Sequence, residues 1–355
     1  MYSGHIHTIL GGARLPKRVE YERELLTAKS DGNPICMDWL KVKEGDPVKG
    51  VILLIPGLGN YGQTNYIQRF VRLSVRRGYH CCVLTPRGMG SAPLTTPNIT
   101  CVTFTSDIRQ ALREVFSADA VVSRFGRSLP VIGVGYSCGA NTLIMSVAQE
   151  FDDFDKNAAV YGGKFPLIGV ISMTAPNEMA YSASMLRTRM GNLLYKRPIM
   201  TALRKYLRKH KKMFESARDG LTEEEVSKLP LIHRNFDECF KKLKIPRDID
   251  EHVVAAHFKY KDEFVYYADG YAPKYVRRVR IPILNISTQD DPIAGYLVNV
   301  DDWTEVCNEN DNAVYVEFPT GGHFGFVQNP LKEFSQIFGV LESFPIDAVD
   351  SLVSS

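Results

Sequence analysis

The chain has 355 residues, 45% of them hydrophobic and 23% charged, and a net charge of +3. That is ample for one large core and ordinary for a soluble globular protein, and it is too nearly neutral to single out any class of partner. Seven cysteines, with Cys81 and Cys82 adjacent and no C-x-x-C, exclude a zinc ribbon and a redox dithiol and fit reduced, mostly buried thiols in a cytosol-like compartment.

The opening MYSGHIHTILGGARLPKR lacks the apolar core of a secretory signal. Residues 21–28 and 34–41 flank Ser30-Asp31-Gly32-Asn33, a turn signal, and read as a β-hairpin. Val51–Ile55 is a short apolar run, as expected of a strand buried on both faces. Asn65–Arg77 places Ile67, Phe70, Val71 and Val75 at helical spacing, and Tyr79–Leu84 is again strand-like. Ser106–Phe125 reads as one helix with Asp107 in its first turn. Val131–Val134 is read as strand, Ser137–Ala148 as helix and Leu167–Met173 as strand. The uncharged stretch Leu129–Gln149 is therefore divided between strand, turn and helix and is not a membrane span.

This βαβαβαβ order predicts an α/β domain with a mostly parallel central sheet covered by helices on both faces. From Pro176 to about Phe264 the rhythm is lost and the chain is polar and helix-prone. Strands at Pro282–Ile286 and Ala313–Phe318 and a helix at Pro330–Leu341 restore it. The expected organisation is a core of residues 1–175 and 265–355 interrupted by a helical cap, residues 176–264.

The chemistry centres on Gly135-Tyr136-Ser137-Cys138-Gly139, between the strand VIGV and the helix ANTLIMSVA. A strand-to-helix turn this sharp needs flanking residues without bulk, and it raises a serine above the sheet at a helix N-terminus: a nucleophile elbow. A serine hydroxyl needs a base, and the segment YVEFPTGGHFGF offers His323 on a glycine loop after the last strand. The other histidines have blander surroundings. The acid that orients the base belongs after the preceding strand, where Asp290-Asp291-Pro292 lies. Asp291 is chosen, with Asp290 as the alternative and more naturally a turn or cap residue. The oxyanion donors are then the N–H of Cys138 and the N–H of Leu58 in the loop after Val51–Ile55. That loop, Gly57-Leu58-Gly59-Asn60-Tyr61-Gly62, is also a formal G-x-G-x-x-G. The next strand, HCCVLTPR, ends without the acidic residue a dinucleotide site needs, leaving only Arg87 as a poor substitute.

The chain resembles the YheT-like branch of the α/β hydrolases, which includes abhydrolase-domain lipases and yeast medium-chain acyl-ethanol transferases. The resemblance runs nearly end to end: Gly4-His5-Ile6-His7-Thr8-Ile9, Asp31-Gly32, Asp38-Trp39-Leu40, Pro56-Gly57-Leu58, Tyr66-Ile67, Pro86-Arg87-Gly88, Gly135-Tyr136-Ser137, Phe236-Asp237, Tyr266-Tyr267, Asp290-Asp291-Pro292 and Gly321-Gly322-His323-Phe324-Gly325-Phe326. It implies an α/β-hydrolase fold and hydrolysis or transfer of acyl groups from lipid-like or short-to-medium-chain esters, without cofactor or metal. Many animal relatives carry an N-terminal membrane anchor that this sequence does not show, which leaves a cytoplasmic or peripheral location.

Arg187–Lys212 holds ten Lys or Arg and no Asp or Glu, with Met200, Leu203, Leu207 and His210 at helical spacing. Two readings stay open: a cap helix resting on anionic lipid, or a solvated basic face over a core-facing stripe. No recognition motif or cluster of stacking aromatics accompanies the charge, so nucleic acid is not an expected partner. His257 and Asp262 form a His-x-x-x-x-Asp spacing that is taken as coincidence. A carboxylesterase or lipase, an acyltransferase using the same residues, and a non-catalytic lipid-binding relative are the three functional expectations.

Overall fold

The computed structural model describes residues 3–16, 18–295, 300–327 and 338–354. Eight strands form one sheet in the order β1-β2-β4-β3-β5-β6-β7-β8. They are β1 Glu22–Thr27, β2 Pro34–Leu40, β3 Gly50–Ile55, β4 Tyr79–Thr85, β5 Val131–Tyr136, β6 Gly169–Met173, β7 Ile283–Thr288 and β8 Ala313–Phe318. The expected hairpin is β1–β2, in antiparallel register from Glu22 opposite Trp39 to Thr27 opposite Pro34. β2 also runs antiparallel to β4, and every pairing from β4 through β8 is parallel.

The central strands are apolar throughout because both faces of the sheet are covered. Alternation along β3 divides its side chains: Val51, Leu53 and Ile55 enter one core with Trp39 and Phe116, while Ile52 and Leu54 enter the other with Phe70 and Ile346. The helices before the insertion are α1 Gly4–Ala13, α2 Asn65–Arg76, α3 Ser106–Glu114, α4 Ala118–Phe125 and α5 Cys138–Asn157. On the first face lies α5, whose Leu143 packs where a side chain at Gly133 would stand: a Cβ there would be 3.1 Å from Leu143 Cδ2. On the second face lie α2 and the C-terminal helix Val340–Ser354.

Two expectations are corrected. Ser106–Phe125 is two helices, not one: the chain breaks at Val115–Ser117, where Phe116 is buried and its ring lies 5.8 Å from that of Trp39. The helix after the elbow runs to Asn157, well beyond Ala148. Most of the helix expected at Pro330–Leu341 falls outside the described residues, and the helix seen near the C-terminus is Val340–Ser354. The helix α1 was not anticipated at all.

Between β6 and β7 the described regular structure is helical only, in many short pieces. The longest is Arg197–Lys209, entered through a π-helical turn, Asn192–Lys196, and a second π-helical turn covers Asp250–Ala255. No helix among the described residues is long and apolar enough to cross a membrane.

Candidate active site

The C-terminal ends of β3, β5, β7 and β8 converge on one cavity of about 680 Å³, bordered by Leu58, Ser137, Cys138 and His323. Ser137 closes the turn from β5 into α5 at φ 51°, ψ −130°, a conformation that costs a non-glycine residue of order 1–3 kcal/mol. The turn is held by the Ser137 N–H donating to Met173 O and the Ala140 N–H donating to Ser137 O, each at 2.8 Å. The flanking glycines are needed for space: a Cβ on Gly135 would fall 2.5 Å from Ala140 Cα, and one on Gly139 would fall 2.2 Å from Pro56 O.

His323 and Asp291 are both buried, and His323 Nδ1 lies 2.8 Å from Asp291 Oδ2. With Asp291 ionised, Nδ1 donates, which leaves Nε2 as the imidazole's acceptor. Asp291 is itself fixed: its Oδ1 accepts the N–H groups of Ile293 and Ala294, both at 2.8 Å. Asp290 points elsewhere. Its Oδ1 accepts the N–H groups of Gly321 and Gly322, each at 2.8 Å, so the neighbouring aspartate ties down the loop that carries His323.

Leu58 and Cys138 border the cavity beside Ser137, and their backbone N–H groups favour the ionised form of the Cys138 thiol. The Cys138 sulfur is a neutral thiol, because burial pushes its pKa up to about 11. Gly57 lets this loop approach, since a Cβ on it would come 3.1 Å from Ser137 Cβ.

The helix α1 joins the site in a way the sequence did not suggest. Thr8 Oγ1 accepts the N–H of His323 at 2.8 Å and donates to Gly4 O at 2.7 Å. His7 Nδ1 accepts the N–H of Val327 at 3.0 Å. Gly4 packs on Asp290, where a Cβ would be 1.6 Å from the carbonyl oxygen. His5 Nδ1 lies 3.0 Å from the Tyr195 hydroxyl in the first π-helical turn, so α1 bridges the helical insertion and the histidine loop. The sequence signal was the cluster Gly-His-Ile-His-Thr-Ile, in which the small and polar residues are the ones that touch the loops.

The insertion roofs the cavity. Leu203, Tyr206 and Leu207 of the helix Arg197–Lys209 border it, as do Ile249, Val253 and Val254. Part of the basic charge on that helix is engaged internally: Arg204 and Arg208 lie over the Phe240 ring, and Lys209 donates to Gly88 O and Gly90 O. His210 Nε2 lies 3.0 Å from Gly88 O. His257 faces His233, with Nδ1 2.9 Å from His233 Nε2, and Asp262 caps the helix Glu263–Asp269, so neither borders the cavity. Arg87, the weak candidate for a dinucleotide phosphate, is buried against Asp31 and Asp107.

A doubly covered sheet with a strained serine at a strand-to-helix turn and a buried His–Asp pair beside it defines a hydrolase architecture. The comparisons agree: residues 52–337 match the alpha/beta hydrolase family, and the chain belongs to it. Among curated relatives, the embryogenesis-associated protein EMB8 of Picea glauca is 26% identical over 92% of this chain and 66% of its own length. Phospholipase ABHD3 of Mus musculus is 26% identical over 87% of this chain and 67% of its own length. The chain thus spans about two thirds of these relatives. Among solved structures, a carboxyl esterase from Bacillus coagulans superposes with a TM-score of 0.52 at 13% identity, covering 94% of this chain and 99% of that one, which supports the fold.

Proposed function

We propose that the chain is a serine esterase that cleaves carboxylic esters with lipid-like or short-to-medium acyl chains through an acyl-enzyme. The observation that carries this is the buried His323–Asp291 pair, 2.8 Å apart, with His323 on the same cavity as the strained Ser137. In this scheme Ser137 Oγ attacks the ester carbonyl while His323 Nε2 takes its proton. Asp291 holds the imidazole in the required tautomer and stabilises the imidazolium. The N–H groups of Leu58 and Cys138 receive the oxyanion. The alcohol leaves with the proton from His323, and water, activated by the same imidazole, releases the acid. The scheme calls for no metal or cofactor.

Residues 176–264 serve as the cap in this reading, and the apolar lining they contribute suits an acyl chain. The relatedness to a phospholipase supports a lipid-like substrate. Contact of the basic cap with an anionic membrane surface belongs to the same proposal. The test is a series of p-nitrophenyl esters of increasing acyl length, with Ser137→Ala as control. Hydrolysis that depends on Ser137 is expected. Turnover equal in wild type and Ser137→Ala would remove the esterase assignment. Adding ethanol to the assay separates hydrolysis from transfer, because a transferase would form new ethyl esters.

A further inference from the structure

The cavity is bordered by two carboxylates among the described residues, Asp107 and Asp250, and by no lysine or arginine. Asp107 has both oxygens on Arg87, at 2.7 Å each. Among the described residues Asp250 has no such cation, and its side-chain partner is the Tyr267 hydroxyl, which donates to Oδ2 at 2.7 Å. Arg247, three residues before it, is engaged by Glu263, with Nε 2.6 Å from Oε1.

The placement is unusual in other respects. Asp250 opens the π-helical turn Asp250–Ala255, an irregularity that recurs at functional sites. It is half-buried, and it borders the cavity also lined by Ser137 and His323. It is close enough to Cys138, next to the elbow, to help raise that thiol's pKa. Around it stand Ile249, Val253 and Val254, an apolar setting in which a carboxyl is costly unless something hydrogen-bonds to it. A wall built only to hold an alkyl chain would have no use for it.

We propose that Asp250 is the acceptor of a polar subsite that takes a hydroxyl group of the substrate, so that hydroxyl-bearing acyl esters are preferred over unsubstituted ones. The proposal rests on the esterase reading of Ser137 and His323. The shared chemistry is an O–H donor, carried either by the alcohol part of the ester or by the acyl chain. Tyr267 orients the carboxyl through its hydroxyl and leaves Oδ1 for the substrate.

Burial raises the Asp250 pKa to about 7, against the lowering effect of the Tyr267 hydrogen bond. The groups facing it are Tyr267, Glu263 with its partner Arg247, Tyr266, and the thiols of Cys101 and Cys138. A carboxylate accepts a hydroxyl more strongly than a neutral acid does, so the preference should rise as pH rises through about 7.

The experiment compares kcat/KM of the full chain on ethyl octanoate, octanoylglycerol and the ethyl ester of terminally hydroxylated octanoic acid. It uses wild type, Asp250→Leu and Asp250→Asn. The expected result is that Asp250→Leu lowers the ratio of a hydroxyl-bearing ester to ethyl octanoate by about tenfold, with Asp250→Asn between it and wild type. A loss on octanoylglycerol places the hydroxyl on the alcohol side, and a loss on the hydroxylated acid places it on the acyl side. If Asp250→Leu does not fold, the ratio in Asp250→Asn and its pH profile decide in its place. Ratios that stay at the wild-type value in the folded variants, with all three esters moving together, overturn the subsite and leave the esterase reading intact. A wild-type chain that cleaves none of the three esters overturns both.

Discussion

The sheet and the helical region between β6 and β7 are built on different terms. In the sheet, position is over-determined: β3 is buried on both faces, Ser137 is pinned by two backbone hydrogen bonds, and His323 is held by Asp291, Thr8 and the Asp290-bound glycines. The insertion is assembled from short helices with two π-helical turns, aromatic rings under arginines, and a wall of cavity. The first region can hold reacting groups to a fraction of an ångström, while the second can change its lining without disturbing them. Changes in the sheet should therefore alter rate, and changes in the insertion should alter which ester is taken.

The largest effect is expected at the sheet's reacting groups. Ser137→Ala and His323→Ala should each lower kcat by about 10⁵ or more in a steady-state ester assay, with the fold preserved by circular dichroism. The adjacent aspartates offer a sharper contrast. Asp291→Asn should cost about 10³ to 10⁴ in kcat because the imidazole loses its tautomer partner. Asp290→Asn, which affects only the loop's anchoring, should cost about tenfold or less. Equal losses at the two positions would mean that the His323–Asp291 bond is not what orients the base.

A middle-sized effect tests α1. Thr8→Val removes the acceptor for the His323 N–H and should lower kcat about tenfold with little change in KM, while Thr8→Ser restores it. Loss of both variants alike would assign Thr8 to packing. In stability, Glu342→Ala should cost about 3–5 kcal/mol in urea denaturation, because it strands the buried Arg69 that ties α2 to the carbonyls of Gly11 and Arg14.

The smallest effects on rate, and the most informative for the comparison, belong to the insertion. Leu203→Trp should shift the optimum toward shorter acyl chains, since the added bulk enters the cavity from its roof. The rate on the shortest ester should change by less than about threefold. Acid should loosen this region before the sheet. Burial, with help from His233, lowers the His257 pKa to about 4, so the stability it gives is present above pH 6.5 and declines as pH falls toward 4. Hydrogen exchange at pH 5 should show faster opening around Phe214 and His233 than along β5.

What could be seen in the sequence follows the same division. The elbow was legible because glycine, serine and glycine at fixed spacing between a strand and a helix have few other uses. The apolar runs of β3 and β5 announced a doubly covered sheet. Asp291 and Asp290 could be ranked but not separated, because both sit on one turn and only the coordinates show which carboxylate faces His323 and which faces Gly321. The helix α1 was missed because GHIHTILGGA carries three glycines and no capping side chain, so its helicity comes from packing against the Asp290 and His323 loops. The break at Phe116 was hidden for a similar reason: a buried ring against Trp39 outweighs continuous helical spacing. Asp250 was invisible in a polar stretch, since nothing local tells a solvated aspartate from one facing a cavity.

The most direct trial of the account is covalent: treat the folded full chain with a fluorophosphonate and map the adduct by peptide mass spectrometry. Stoichiometric modification of Ser137 is expected, lost in Ser137→Ala and slowed by orders of magnitude in His323→Ala. A folded chain that takes no adduct, or takes it on another residue while Ser137 stays free, would contradict the claim that this serine is the activated nucleophile.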